Sequence, residues 1–361
     1  MDEVVRTFTE PWVTQIIRFC NVVKYGPNFA VEIFLRLYHD DNLVEVGWIV
    51  GPIPVDDGIG KEVIVRYLSK LPFENNICSK CRFCTDISNQ GQFFTDSNGR
   101  QMMERRLNYR PSFEINMTEP TAQNYYPVNA KIIIKDSTSQ MGVLTDRSQG
   151  GSSLQDGCLE LMVHRRLLDD DAFGVGEALN EFAYGDGLVA AGKHVLLLNN
   201  DEQSFNEEHR IKAMDLYHEP LIIFGNLEQG TNFPDSVKLT SSLPDNVHIL
   251  TLRKITNIED PFGQYLFLQI EHIFESDEHD TLGQPVDIDL ENIFDFSSIF
   301  VESYRETSLG GNIWLDELQR LVFNKDSNEI PSIDEDHHRE TSQWVIRLNP
   351  MDIRSFILKY D

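Results

Sequence analysis

Positive charge is scarce in this chain. Across 361 residues, 31 Lys and Arg face 58 Asp and Glu, a formal net charge of −27. Nucleic-acid binding needs a basic footprint to neutralise phosphates, so that class is set aside. The same imbalance repels anionic membrane surfaces. Long apolar runs are missing too, none approaching the roughly 20 residues of a bilayer-crossing helix. Cysteine is sparse, and the five present make an odd count. Three of them, Cys78, Cys81 and Cys84, sit close together. A zinc knuckle would need a fourth ligand, and no His or Cys follows at suitable spacing, so the cluster reads as a disulfide or free thiols in a loop. The opening Met1-Asp2-Glu3-Val4-Val5 is acidic and lacks the basic and apolar regions of a signal peptide, so no secretory route is expected of this sequence taken alone.

What remains is an ordinary globular composition, 41% hydrophobic, enough to build cores for two or three domains. Its dominant pattern is short alternating or β-branched runs between turn residues. Such runs appear at 13–19, 30–38, 43–50, 62–68, 131–135, 141–145, 159–163 and 194–198, and again at 221–224, 247–252, 265–273 and 344–348. Alternation places one face of each run on a core and the other toward water. Many strands with few helices between them predict antiparallel sheets, because parallel pairing needs crossover helices. The fold class expected is mainly β.

Asn98-Gly99 lies between two such runs and predicts a tight hairpin reversal. The alternative, a calcium loop through Asp96, Asn98 and Gly99, is too short and lacks the later Glu. One helix is expected over Asn206–Tyr217, on the surface or in a long connection. The acidic stretch Asn324–Glu340, with His337-His338, reads as a solvated insertion. The polar, turn-like Thr240-Ser241-Ser242-Leu243-Pro244-Asp245 marks a boundary, giving domains 1–240 and 241–361. Gly150-Gly151 followed by Ser152-Ser153 invites a phosphate loop, but the required lysine is absent and no helix clearly follows. Those glycines are expected where backbone turns sharply or approaches a neighbour closely. Arg147, Arg165 and Arg166 are expected to pair with Asp146, Asp156 and Glu160.

An ordered series of segments carries a stronger signal. It runs through Val50-Gly51-Pro52-Ile53-Pro54-Val55, Phe94-Thr95-Asp96-Ser97-Asn98-Gly99-Arg100, Asn124-Tyr125-Tyr126-Pro127-Val128-Asn129 and the block from Asp146 to Asp171, with weaker matches as far as Phe356. In this order the series closely resembles the C-terminal β region of lysosomal-type α-mannosidases, glycoside hydrolase family 38. The resemblance implies a large antiparallel supersandwich, galactose-mutarotase-like, then a smaller immunoglobulin-like β-sandwich.

It also implies a division of labour. The family hydrolyses terminal α-D-mannose with two carboxylates and a zinc ion, and the separation of such carboxylates fixes the stereochemistry. The zinc ligands include a His-x-Asp element of an N-terminal domain, and this chain contains no His-x-Asp. His39-Asp40 and His279-Asp280 are direct neighbours. No catalytic residue, no metal ligand and no cofactor is therefore expected in this chain. One loop of the region reaches the family's sugar pocket through Asp-Asp-x-Arg-Gly, which here reads Asp170-Asp171-Ala172-Phe173-Gly174. Asp170, Asp171, Phe173 and Gly174 are the candidate substrate-binding residues. Phe173 replaces the arginine and supplies no hydrogen-bond donor. Asn116-Met117-Thr118 is a candidate N-glycosylation site. The partners implied are the N-terminal catalytic part of an α-mannosidase and mannose-containing glycans, and the location implied is lysosomal. The alternative is a free-standing carbohydrate-binding or interaction module that has lost catalysis.

Overall fold

A computed structural model describes residues 3–10, 13–21, 30–38, 43–68, 87–225, 239–240, 242–256, 263–294, 300–319 and 344–361, with side chains from Val31 on, Leu68 excepted. Cys78, Cys81, Cys84, the 324–340 stretch and His39-Asp40 lie outside these residues. The chain is mainly β and divides into two compact units, Met1–Glu219 and Pro220–Asp361. The turn at Thr240–Asp245 falls within the second.

In the first unit nine described strands form one antiparallel sheet. Their spatial order is Glu3–Glu10, Val13–Asn21, Ala30–Tyr38, Val44–Gly51, Ala190–Asn199, Gln140–Thr145, Lys131–Lys135, Gln92–Ser97 and Gln101–Arg106. A second sheet orders Lys61–Leu68, Cys158–Arg166, Gln149–Ser152 and Tyr126–Val128. The two sheets share a core. Ile132, Ile134, Met141, Val143 and Phe93 from the first interdigitate with Tyr67, Val128, Leu159 and Leu161 from the second. Trp48, Val50 and Val163 extend it.

The central strands of the large sheet are buried on both faces, which explains their near-continuous apolar runs. Ile132 and Ile134 point to the second sheet, whereas Ile133 points to the opposite face. That face is covered by the helix Glu202–Tyr217 through Phe205 and Ala213, packed with Leu144 and Leu197. Gly142 makes room for it, since a Cβ there would lie 3.0 Å from Cζ of Phe205. Burying each such aliphatic or aromatic side chain is worth about 1.5–3 kcal/mol.

The helix thus differs from the surface helix expected. It begins four residues earlier, where the Asp201 carboxylate caps the Gln203 N–H at 3.4 Å and takes the Ser204 hydroxyl at 2.6 Å. Its buried stripe is Phe205, His209 and Ala213 at four-residue spacing. Two polar members, His209 and Arg210, are also buried and mask the pattern.

The hairpin forms as expected. Asn98 and Gly99 take φ of 54° and 77°, both left-handed, as a tight reversal of right-twisted strands requires. Asp96 ties it down: one carboxylate oxygen accepts from Gly99 N at 2.6 Å. The other accepts from the amides of Asn129, Ala130 and Lys131 at 2.8–3.0 Å. Gly151 shows the expected close approach, because a Cβ there would lie 2.7 Å from Val128 Cγ2. Gly150-Gly151 lies in a strand, and the next element is another strand, not a helix.

In the second unit, Val247–Ile255, Gln264–His272, Ile353–Tyr360 and Val301–Thr307 form an antiparallel sheet in that order. Val286–Asp289 pairs with Val345–Leu348. Leu268, Ile270, Phe356 and Leu358 from the larger sheet meet Ile288, Ile346 and Leu348 from the smaller in one core. The strand expected over Leu221–Phe224 does not form. Among the described residues these four pair with no strand, and they are 74–92% exposed. The apolar run carries no periodicity that distinguishes a strand from an uncovered segment.

Candidate functional site

The candidate residues Asp170, Asp171, Phe173 and Gly174 fall at the exposed tip of a long loop that follows the strand Cys158–Arg166. The Asp170 carboxylate accepts from Ala172 N at 3.1 Å, and that of Asp171 from Phe173 N at 3.0 Å. Two overlapping side-chain turns of this kind force the chain to reverse, and Ala172 between them takes a left-handed φ of 59°. The carboxylates therefore shape the backbone. Phe173 is 93% exposed, and Gly174, at φ 158°, has no neighbour within 4 Å of where a Cβ would stand.

Sequence reasoning missed what holds this loop. Arg166 is 7% exposed and ties the far end of the loop to the segment after Val44–Gly51. Its Nε donates to Asn180 Oδ1 at 2.7 Å and its Nη1 to the Ile53 carbonyl at 2.7 Å. The guanidinium also lies over the Phe182 ring, 4.6 Å from the centroid. Beyond it, the short strands Phe182–Ala183 and Asp186–Gly187 close a hairpin at Tyr184 and Gly185, with φ of 55° and 87°. Of the ion pairs expected in this block, Arg147 meets Asp146 at 3.0 Å. Arg165 pairs with Glu62 at 3.2 Å instead. Asp156 binds Ser88 Oγ and Gln90 N.

Beside the loop, on the outer face of the four-stranded sheet, lies an open groove of about 690 Å³. Its walls include Tyr125, Gln149, Gly150, Met162, Arg165 and Glu181. Such a volume is typical of small-molecule clefts. A triad around the buried Glu160 sets the Tyr125 wall. Glu160 accepts from Arg66 Nε at 2.7 Å and from the Tyr125 hydroxyl at 2.5 Å. Burial, with the Glu160 carboxylate alongside, raises the Tyr125 pKa well above the ordinary phenol value, so the hydroxyl stays a donor.

A second chain of bonds sets Gln149. Its Oε1 lies 2.8 Å from Nε2 of His194, and the Tyr67 hydroxyl lies 2.6 Å from Nδ1. Burial pushes the His194 pKa down to about 3, so the ring is neutral at ordinary pH and carries one N–H. An amide oxygen only accepts, so that proton sits on Nε2 and Nδ1 accepts from Tyr67. The Gln149 amide is thereby fixed with its NH2 turned away, and among the described residues Nε2 of Gln149 has no hydrogen-bond partner.

Among the described residues, no three His, Cys, Asp or Glu side chains converge as metal ligands, so these residues do not fit a zinc ion. His279 is instead absorbed locally, its Nδ1 accepting from Thr281 N and Leu282 N.

Sequence comparison covers the same region. A family model described as "Glycosyl hydrolases family 38 C-terminal domain" matches residues 4–173. Residues 4–173 are thus similar to that family 38 domain. It is 40% identical to lysosomal alpha-mannosidase of Bos taurus over 97% of its own length, and covers 33% of that protein. To the lysosomal alpha-mannosidase of Homo sapiens it is 38% identical over 90% of its length, covering 30%. The chain thus spans about a third of the length of these relatives. In fold it is similar to a solved alpha-mannosidase from Enterococcus faecalis V583, with a TM-score of 0.57 at 10% identity, over 99% of this chain and 35% of that one. The family 38 match ends at Phe173, within the loop tip, and takes in every groove residue named above except Glu181.

Proposed function

We propose that this chain is the C-terminal, non-zinc-binding portion of an α-mannosidase. Its task is to support a catalytic domain that hydrolyses terminal α-D-mannose of glycoprotein oligosaccharides. The tip Asp170–Gly174 lines that domain's sugar pocket, with loop backbone holding the mannose and the Phe173 ring available to its apolar face. The observation carrying this reading is the loop itself, anchored by buried Arg166 yet displaying uncovered apolar side chains. Phe173 and Val175 are 93% and 84% exposed, and Phe182 and Tyr184, further along the chain, are exposed as well. Apolar surface of this kind marks a surface that a partner covers. The partner is the N-terminal catalytic part, in the same precursor or as a separate chain, and the compartment is the lysosome. Asn116, exposed in the segment after Arg106, carries an N-linked glycan there.

Phe173 at the arginine position supports a second reading, a free-standing carbohydrate-binding module that has lost catalysis. Reconstitution separates the two. The first predicts no turnover of an aryl α-mannoside by this chain alone, and turnover once the N-terminal part is supplied. Turnover by the isolated chain, or none in a stable complex of both parts, overturns it.

A further inference from the structure

Tyr184 occupies a backbone position unsuited to a bulky side chain. The strands Phe182–Ala183 and Asp186–Gly187 are joined by Tyr184 and Gly185 alone, and both joining residues are left-handed. A two-residue reversal of this kind favours Asn-Gly, because Asn and Gly tolerate positive φ while a large ring is an outlier there. The same chain shows the favoured pair: Asn98 and Gly99 hold φ of 54° and 77°, against 55° and 87° at Tyr184 and Gly185. The Tyr184 ring is also fully exposed, so burial does not offset the backbone cost. Strain kept at a well-held, exposed position points to a task outside the fold.

The base of the hairpin is clamped. Phe182 and Gly187 pair across it, and both meet the Arg166 guanidinium. The Phe182 ring centroid lies 4.6 Å from it, and a Cβ on Gly187 would stand 2.5 Å from Nη1. Arg166 is itself buried and held by Asn180 and the Ile53 carbonyl. The Tyr184 ring is thus presented on a braced hairpin, and a preordered aromatic loses little entropy when it is covered. Charge narrows the partner. Between Leu167 and Gly192 the exposed carboxylates are Asp169, Asp170, Asp171, Glu177, Glu181 and Asp186, and no Lys or Arg occurs. A projecting tyrosine flanked by anions complements an apolar pocket with a cationic rim. The hairpin is also continuous with the 170–174 tip, since Leu167 N donates to the Leu179 carbonyl at 2.9 Å and closes the loop just before Phe182.

We infer that the 182–187 hairpin is a docking element for the N-terminal catalytic part, with Tyr184 inserted into an apolar pocket that Lys and Arg side chains rim. Its role is assembly, whereas the 170–174 tip serves the sugar pocket. The identity of the partner rests on the supporting role proposed above.

The test measures affinity between this chain and the N-terminal part by titration calorimetry, beside the melting temperature of this chain alone. Tyr184→Asn should act with opposite signs. The chain melts higher, because Asn suits the left-handed turn, and the complex weakens roughly tenfold or more. Tyr184→Phe keeps the ring and stays within about threefold of the unaltered affinity. Raising NaCl from about 50 to about 500 mM weakens the complex, as a cationic rim requires. Equal affinity in Tyr184→Asn, a lower melting temperature in that variant, or salt-independent binding overturns the docking role. If such a complex still turns over an aryl α-mannoside, the supporting role stands and only the docking role falls. Absence of any complex removes both.

Discussion

The Tyr67 hydroxyl and Nδ1 of His194 lie 2.6 Å apart inside the first unit, both residues 2% or less exposed. The contact orients the imidazole toward Gln149, while burial holds the ring neutral and makes the unit sensitive to acid. The His194 pKa of about 3 lies below the ordinary value near 6.5, so the stability it contributes is complete above about 6.5 and declines as pH falls toward 3. Burial, then the neighbouring Lys131, shifts His209 in the same direction. Each buried histidine costs about 1.4 kcal/mol per pH unit in that window. Between pH 7.5 and 5, unfolding free energy should fall by about 2 kcal/mol for His194 alone. His194→Gln should start lower and lose less over the same interval. Equal losses in urea titrations of both proteins would show that the imidazole plays no part.

Glu160 is nearly buried, and both its oxygens are used, by Arg66 and Tyr125. Glu160→Gln removes the charge that Arg66 faces and should cost about 1–3 kcal/mol. Tyr125→Phe removes one bond while leaving the ion pair and should cost about 1 kcal/mol. Chemical denaturation ranks the two. The reverse order would mean that the hydroxyl, not the ion pair, holds the outer face of the sheet.

The adjacent glycines should respond unequally. Gly151→Ala drives a methyl to 2.7 Å from Val128 and 3.1 Å from Leu161, and should destabilise by about 1–3 kcal/mol. At Gly150 the nearest atom is the Tyr125 ring at 3.3 Å, so Gly150→Ala should cost less. Thermal melting of both variants checks the contrast.

Asn116 in protein made through a secretory pathway should carry a glycan. Endoglycosidase treatment should lower the mass by one N-glycan, and Asn116→Gln should remove that shift. An unchanged mass on native protein would exclude the modification.

Much of the sheet framework was legible because local chemistry agrees with the tertiary result. Ala30–Tyr38 and Lys131–Lys135 form within the bounds their β-branched runs imply, and Asn98-Gly99 reverses as its tolerance of positive φ requires. Gln149–Ser152 was not legible as a strand, since two glycines give no propensity signal and only the packing of Gly151 on Val128 and Leu161 explains them. Leu221–Phe224 misled because apolarity does not say which partner does the burying. At the loop tip, the family resemblance named Asp170 and Asp171, and a bracing role at a strand end was legible beside it, but the two overlapping turns they hold depend on backbone conformation that no motif encodes. The groove draws its walls from strands far apart in sequence, and no linear motif announces it.

Asp96 grips a reversal with one oxygen and three successive amides of the Asn129–Lys131 segment with the other. A slip of one residue between these segments would break the three bonds to the Asn129–Lys131 amides and turn Ile132 and Ile134 outward. A single carboxylate therefore works as an alignment pin, committing two stretches 33 residues apart to one mutual setting.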